Sequence, residues 1–375
     1  MKKISLYIFI VSLFTSFIVK AQLYAPSDPQ ATLETRELYY SMQRLQGAGV
    51  IFGHHDDTAY GVGWRYKSDS SDVKSVSGSY PGVYGWDFAR IEHDSEKDIN
   101  GIPYKLQRKL VKQAYELGGI NTFCWHMDNP TNGKTAWDTT HNSVKDILPG
   151  GTAHATYVQW LDKMARYAQT LKGPEGEPIP ILFRPFHELT GNWFWWCRNT
   201  CTPEEFKSLW QFTIEYLRNT KKLHNMLIVY SVADFDSKED FLLRYPGDQY
   251  VDFIGFDNYC SRSIPMYAHN LDKRLGIQQE IANERHKVSC LAETGYYNLP
   301  TTDWWTKILL PILAKHNFTS YALLWRNDSL KQFFVPYPGQ QSAEDFKKFT
   351  ESKVILMQNR LTPLAVYGKY IPPSP

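Results

Sequence analysis

Ile179-Pro-Ile-Leu-Phe-Arg-Pro-Phe-His187, Thr202-Pro-Glu-Glu205 and Met226-Leu-Ile-Val-Tyr-Ser-Val232 follow one another within a single stretch of chain. The first and third are short apolar runs, the pattern of strands buried on both faces. Between them Thr202 offers a helix cap, Pro203 a first-turn proline and Glu204-Glu205 two acids at a positive helix end. A helix is therefore predicted over Pro203–Asn219. Strand, helix and strand in this order pair the two strands in parallel through a right-handed crossover.

Outward from this unit the alternation continues from about residue 31 to the end. Strand-like runs fall at Val50–His55, Gly82–Phe88, Ile120–His126, Ile179–His187, Met226–Val232, Val251–Tyr259, Lys287–Glu293 and Ser320–Arg326. Helical patterns separate them at Pro103–Leu117, Thr152–Leu171, Pro203–Asn219, Ser237–Tyr245, Tyr267–Arg285 and Asp303–His316, and Ala343–Gln358 reads as a last helix. Eight strands alternating with helices imply an α/β fold, a closed (β/α)8 TIM barrel, as a single domain over residues 22–375. An open doubly wound sheet is the alternative, but no Gly-rich phosphate turn follows the first strand. Gly61-Val-Gly63-Trp is too short and ends in a bulky residue.

Residues 1–21 are read as a secretory signal peptide. Lys2 and Lys3 precede the uncharged run Ile4–Val19, and Val19-Lys20-Ala21 ends it with small residues where a signal peptidase cuts. The run is short for a membrane span. Export is expected, to the periplasm or outside the cell, as a soluble monomer without membrane insertion after cleavage. No cysteine precedes Cys124, so the protein is not expected to be a lipoprotein. The formal charge of +2 falls to −1 without Lys2, Lys3 and Lys20. Such a chain has no electrostatic reason to hold nucleic acid or an anionic surface, and an uncharged partner is expected.

Five cysteines are present. Cys197 and Cys201 either close a small disulfide loop or remain thiols, since spacing alone does not fix geometry. Cys124, Cys260 and Cys290 lie in apolar runs and read as small buried hydrophobes. Aromatic content is high, with 12 Trp, 24 Tyr and 20 Phe. Most fill the core, but many Trp stand near strand ends, where flat rings stack on the apolar faces of sugars.

In a barrel of this kind the site lies at the C-terminal ends of the strands. Those ends carry His54-His55, Trp86-Asp87, His126, His187-Glu188, Asp257-Asn-Tyr259, Glu293 and Trp325-Arg326. A lone Glu there pairs with an Arg such as Arg184 or Arg326. Two of them, on the fourth and seventh strands and facing each other among Trp and His, supply what glycoside hydrolysis needs: one carboxyl to protonate the leaving oxygen, the other to attack the anomeric carbon. Glu188 and Glu293 are the candidate catalytic pair. His126 and His187 are read as polar groups orienting the carboxylates and holding sugar hydroxyls, Tyr259 as a donor to the nucleophile, and Trp193 and Trp325 as stacking platforms. Trp195 and Trp196 share the Trp193 loop, and at least one of the three is structural. Arg184 is expected to pair beneath Glu188. This chemistry requires no metal and no organic cofactor. Asp56-Asp57 and Asp234-Phe-Asp236 are read as solvated loop acids, not chelators.

Arg184-Pro-Phe-His187-Glu188-Leu-Thr-Gly-Asn-Trp193-Phe-Trp-Trp resembles the acid/base segment of glycoside hydrolase family 26, the β-mannanases. Gly53-His54-His55, Pro81-Gly-Val-Tyr-Gly-Trp86-Asp87, Trp125-His126, Gly255-Phe-Asp257-Asn-Tyr259, Ala292-Glu293-Thr294-Gly295 and Trp325-Arg326-Asn327 match in family order, from about residue 35 to 358. The resemblance implies a (β/α)8 fold and a retaining double displacement on β-1,4-mannan, galactomannan or glucomannan. Glu188 takes the acid/base position and Glu293 the nucleophile position. It places His126, His187, Trp193, Tyr259 and Trp325 around the cut bond, and Arg326 on the neighbouring glycone sugar. The sequence has Gly-His-His where many members have Gly-His-Gln, and Leu189-Thr190 where Met-Asn is common. Fine preference stays open, because other members act on xylan and mixed-linkage glucan. A carbohydrate-binding barrel without catalysis would lack one carboxylate, and both are present. The long segments Thr58–Ser79 and Asn129–Gly151 are expected to decide whether one end of the cleft is closed.

Overall fold

The computed structural model describes residues 22–261 and 263–368; the expected signal peptide lies outside them. Eight strands form the barrel: β1 Val50–His55, β2 Val83–Asp87, β3 Ile120–Cys124, β4 Ile181–Arg184, β5 Met226–Val232, β6 Phe253–Cys260, β7 Val288–Tyr296 and β8 Tyr321–Leu324. Each pairs in parallel with the next. Ile51 to His54 of β1 pair with Tyr321 to Leu324 of β8, which closes the ring. β1 to β5 are buried at every residue. One side of these strands faces the barrel interior and the other the helices, which is why their sequence reads as apolar runs without alternation.

Helices cover the outside at Tyr104–Glu116, His154–Ala168, Pro203–Glu215 and Ile264–Arg285. Thr202 caps the third as its sequence promised. Its hydroxyl accepts from Glu205 N at 3.2 Å, and the Glu205 carboxylate accepts from Thr202 N at 2.8 Å. The helix at Ile264 starts ahead of the expected Tyr267 because Ser263 caps it and Pro265 occupies its first turn.

One helix was not expected, and two expected helices are corrected. A helix at Leu33–Leu45, capped by Thr32, precedes β1; it lies outside the strand–helix repeat, and its Tyr39 hydroxyl donates to Asp252 O across the barrel floor at 3.2 Å. The segment over Asp303–His316 is a π-helical turn, Trp305–Leu309, followed by a short α-helix, Leu310–Lys315, with Pro311 in its first turn. Ala343–Gln358 is not one helix. It stops at Glu351, and Ile355–Leu356 then pairs with Val50–Ile51 of β1 as a short extra strand. No helix among the described residues is long and apolar enough to cross a membrane.

One irregularity bears on the site. Phe256 pairs with Leu291 but Asp257 pairs with Glu293, so β7 carries an extra residue at Ala292. β8 registers the same shift, with Ala322 opposite Leu291 and Leu324 opposite Thr294. Such a bulge re-aims the side chain that follows it, and here that residue is Glu293, level with Asp257.

Candidate active site

Glu188 stands on the turn that leaves β4. Phe186 and Glu188 both have left-handed backbone conformations, with φ of 48° and 55°, each costing about 1–3 kcal/mol for a non-glycine residue. Local packing holds them there. The Phe186 ring is caged by Trp195, Trp196, Phe206 and Trp210, with centroids 6.1–6.2 Å away. Glu188 N donates to Ser231 O of β5 at 3.0 Å, and Trp196 Nε1 donates to His187 O at 2.8 Å. Trp195 and Trp196 are fully buried in this scaffold, while Trp193 is 38% exposed. The trio thus divides into two structural rings and one that faces the cleft.

Cys197 and Cys201 belong to the same scaffold and form no disulfide. All five cysteines are free and buried. The Cys197 thiol points at Glu188 O at 3.4 Å, and the Cys201 thiol at Trp196 O and Cys197 O, both at 3.6 Å.

Glu293 sits inside β7, not at its end, and is 4% exposed. Tyr259 donates its hydroxyl to one Glu293 oxygen at 2.6 Å, and Arg184 donates to the other. Arg184 also donates to Asp257 at 2.7 Å, and Ser231 Oγ donates to the other Asp257 oxygen at 3.0 Å. The expectation that Arg184 pairs beneath Glu188 is corrected. As the last residue of β4 it points into the barrel, whereas the chain turns before Glu188, so its guanidinium meets β6 and β7 instead. Burial disfavours the Arg184 charge, but Asp257 and Glu293 outweigh it and hold the group above its ordinary range. Burial and the nearby Glu293 carboxylate push the Tyr259 phenol well up, so it remains a donor.

The carboxylate oxygens of Glu188, Asp257 and Glu293 come within 4.8 Å of one another. Burial, and then the charge of Glu293, push the Glu188 carboxyl up to about 7, against a smaller opposing effect from Trp193, whose Nε1 donates to it at 2.6 Å. Glu188 is thus suited to carry a proton near neutrality, while Glu293 is arranged as an acceptor of two strong donors. A carboxyl pushed up by burial and by a neighbouring carboxylate is the one suited to act as the acid of the pair. Oxygens this close are compatible with the retaining geometry, in which one carboxylate attacks directly.

His126 Nδ1 bonds Asp87 at 2.6 Å, and its Nε2 meets His187 Nε2 at 3.2 Å. Burial lowers the His126 affinity for a proton, but Asp87 overcomes this and the net shift is upward. His187 is held well below the ordinary imidazole range by burial and by Arg184, and stays neutral.

His126, His187, Glu188, Trp193, Tyr259, Glu293 and Trp325 all line one open cavity of about 360 Å³. Arg326 does not. Its guanidinium reaches the Tyr60 hydroxyl at 3.1 Å and Asp328 at 2.8 Å, beside the cavity. Of the loop acids set aside as chelators, Asp234 and Asp236 are exposed to solvent as expected, whereas Asp56 and Asp57 are not. Asp56 is buried and accepts from Tyr60 and Asn100, Asp57 is buried against His54, and Asp234 pairs with Arg274.

Four cavity residues escape the strand-end reading: Trp137, Phe194, Gln332 and Phe334. Trp137, 50% exposed, stacks on His126 with centroids 5.5 Å apart. A tryptophan within the polar segment 129–142 was a usable signal for it; Gln332 and Phe334 carry none. A second recess of about 370 Å³, between segment 58–80 and the helix Tyr104–Glu116, contains none of the paired groups.

The family model described as glycosyl hydrolase family 26 matches residues 27–300. A GH26 beta-mannanase from Bacteroides ovatus superposes with a TM-score of 0.85 at 39% identity, over 88% of this chain and 96% of that one. A mannan endo-1,4-beta-mannosidase of Bifidobacterium adolescentis is 33% identical over 89% of this chain, which spans only 35% of that longer protein. One from Bacillus subtilis is 26% identical, over 82% of this chain and 84% of its own. With the barrel, the bulge on β7 and the two carboxylates already in place, these likenesses identify the chain as a member of glycosyl hydrolase family 26.

Proposed function

We propose that the protein is an endo-acting β-1,4-mannanase that works by retaining double displacement. Glu188 protonates the leaving oxygen while Glu293 attacks the anomeric carbon, forming a covalent glycosyl ester. Glu188, now a carboxylate, then takes a proton from water, which attacks the same carbon and releases Glu293. Arg184 and Tyr259 keep the Glu293 carboxylate aimed and take up its charge when it leaves again. His126 and His187 are proposed to hold sugar hydroxyls, Trp193, Trp325 and Trp137 to stack on the sugar rings, and Arg326 to reach the neighbouring glycone unit.

The observation that carries this reading is the closeness of two carboxylates in unlike surroundings inside an aromatic cleft. Mannan as the substrate is supported by the names of the similar proteins. The departure at Leu189-Thr190 does not weigh against it: both residues are buried, the Thr190 hydroxyl accepts from Ala233 N at 3.0 Å, and neither lines the cavity. Time-resolved product analysis on unbranched mannan, beside xylan and mixed-linkage glucan, tests substrate and cutting mode together. Early release of mixed oligosaccharides with a β-anomer at the new end is expected. Activity confined to xylan or glucan would overturn the substrate, and an α-anomer the mechanism.

Export is proposed on the pattern of residues 1–21. The N-terminal mass of the protein recovered from outside the cytoplasm is expected to begin at Gln22, and an intact Met1 there would contradict it. A monomer by light scattering is expected in solution.

A further inference from the structure

His55 is buried directly behind Trp325. The two rings stack with centroids 4.2 Å apart and 29° between planes, and Trp325 is the partly exposed indole of the cavity wall. On the far side, His55 Nε2 lies 3.5 Å from Asp56 Oδ1. Neither atom has a hydrogen-bond partner, so each has only the other to compensate its burial. The second Asp56 oxygen accepts from the Tyr60 hydroxyl at 2.6 Å and from Asn100 Nδ2 at 2.9 Å. Tyr60 in turn accepts from Arg326, the residue after Trp325, at 3.1 Å. One buried carboxylate therefore steadies Trp325 along two routes, through the imidazole behind its face and through the next residue of its backbone.

A similar arrangement stands beside it, where the His126 ring meets Trp325 in a T-shaped contact with centroids 6.0 Å apart. Asp87 holds His126 at 2.6 Å, and Trp137 stacks on His126 with 16° between planes. Carboxylate, imidazole and indole thus recur in that order at two neighbouring points of the cleft. Burial, with Arg326 and His126 nearby, keeps His55 well below the ordinary imidazole range. The plate behind Trp325 is therefore uncharged and adds no positive charge behind the indole.

We propose that His55, oriented by Asp56, is a positioning residue for Trp325 that fixes the indole plane on which the sugar at the cut bond stacks. This rests on the reading of the cleft given above. An aromatic platform ordered before binding loses less freedom when the sugar arrives, so the effect belongs mainly in KM.

A double-mutant cycle tests it. His55→Ala is expected to lower kcat/KM on unbranched mannan oligosaccharides by about tenfold, mostly through KM. His55→Phe, which restores a flat ring without the nitrogen, is expected to recover to within about threefold of the wild type. In a Trp325→Ala background His55→Ala is expected to cost less than about twofold. The same loss in both backgrounds, or a Phe variant as impaired as the Ala variant, would overturn the proposal. Thermal melting accompanies each variant, and His55→Gln carries the cycle if His55→Ala does not fold. A wild type inactive on every β-glycan sinks the reading of the cleft, whereas an active wild type without coupling sinks only this proposal.

Discussion

The turn after β4 and the middle of β7 present the same side chain in opposite ways. Glu188 sits on a strained, loop-borne turn held by an aromatic cage. It has one side-chain donor, Trp193, and its carboxyl is pushed up to about 7. Glu293 sits within a strand, re-aimed by a one-residue bulge, with Arg184 and Tyr259 donating to its two oxygens. Residue type says nothing of this division of labour. Which carboxyl holds a proton is decided by which neighbours each element brings to it.

The sharpest way to break the comparison is Glu293→Ala. Without a nucleophile, turnover on mannan is expected to fall by roughly 10⁴-fold or more, measured as reducing sugar released by folded protein; residual activity near wild type would remove the assignment. Glu188→Ala is expected to cost about 10²–10⁴-fold on mannan and far less on aryl glycosides whose leaving group needs little protonation. Azide should rescue it with a β-glycosyl azide as product. An equal loss on every substrate would mean that the two carboxyls are not distinct in role.

A smaller effect tests stability. A carboxyl pushed upward on folding binds its proton more tightly in the native state, so stability is lost as pH rises from the ordinary carboxyl range toward about 7. Glu188→Gln is therefore expected to raise Tm at pH 8 and to leave it nearly unchanged at pH 4. A gain in Tm over wild type no larger at pH 8 than at pH 4 would show that Glu188 is not held out of its ordinary range.

The smallest expected change concerns the same proton. Activity needs Glu188 protonated in the first step, so kcat/KM should fall as pH rises through about 7. Trp193→Phe removes the hydrogen bond that favours the ionised form, and the alkaline limb should move to higher pH. A limb that stays fixed would mean that this bond carries no weight.

Much of this was legible in the chain. Parallel strands buried on both faces must be apolar throughout, so the runs around Leu227 and Ile254 announced themselves, and Thr202-Pro-Glu-Glu205 marked the start of its helix to the residue. Glu188 and Glu293 were found because strand ends are where polar groups interrupt such runs. The helix Leu33–Leu45 was missed because it precedes the repeat that organised the reading. Trp137 and Phe334 were missed because they reach the cleft from long loops, whose course no periodicity encodes.

Local patterning by itself determined the barrel, the order of its strands and the two acidic groups, since these follow from burial and from the chemistry of single positions. Tertiary structure alone decided that Arg184 serves Glu293 and Asp257, not Glu188, that Cys197 and Cys201 stay reduced, and that His55 stands behind Trp325. Each depends on the direction of a side chain between elements far apart in sequence. A bulge at Ala292 or a turn at Phe186 sets such directions, and no property of the residue itself records them.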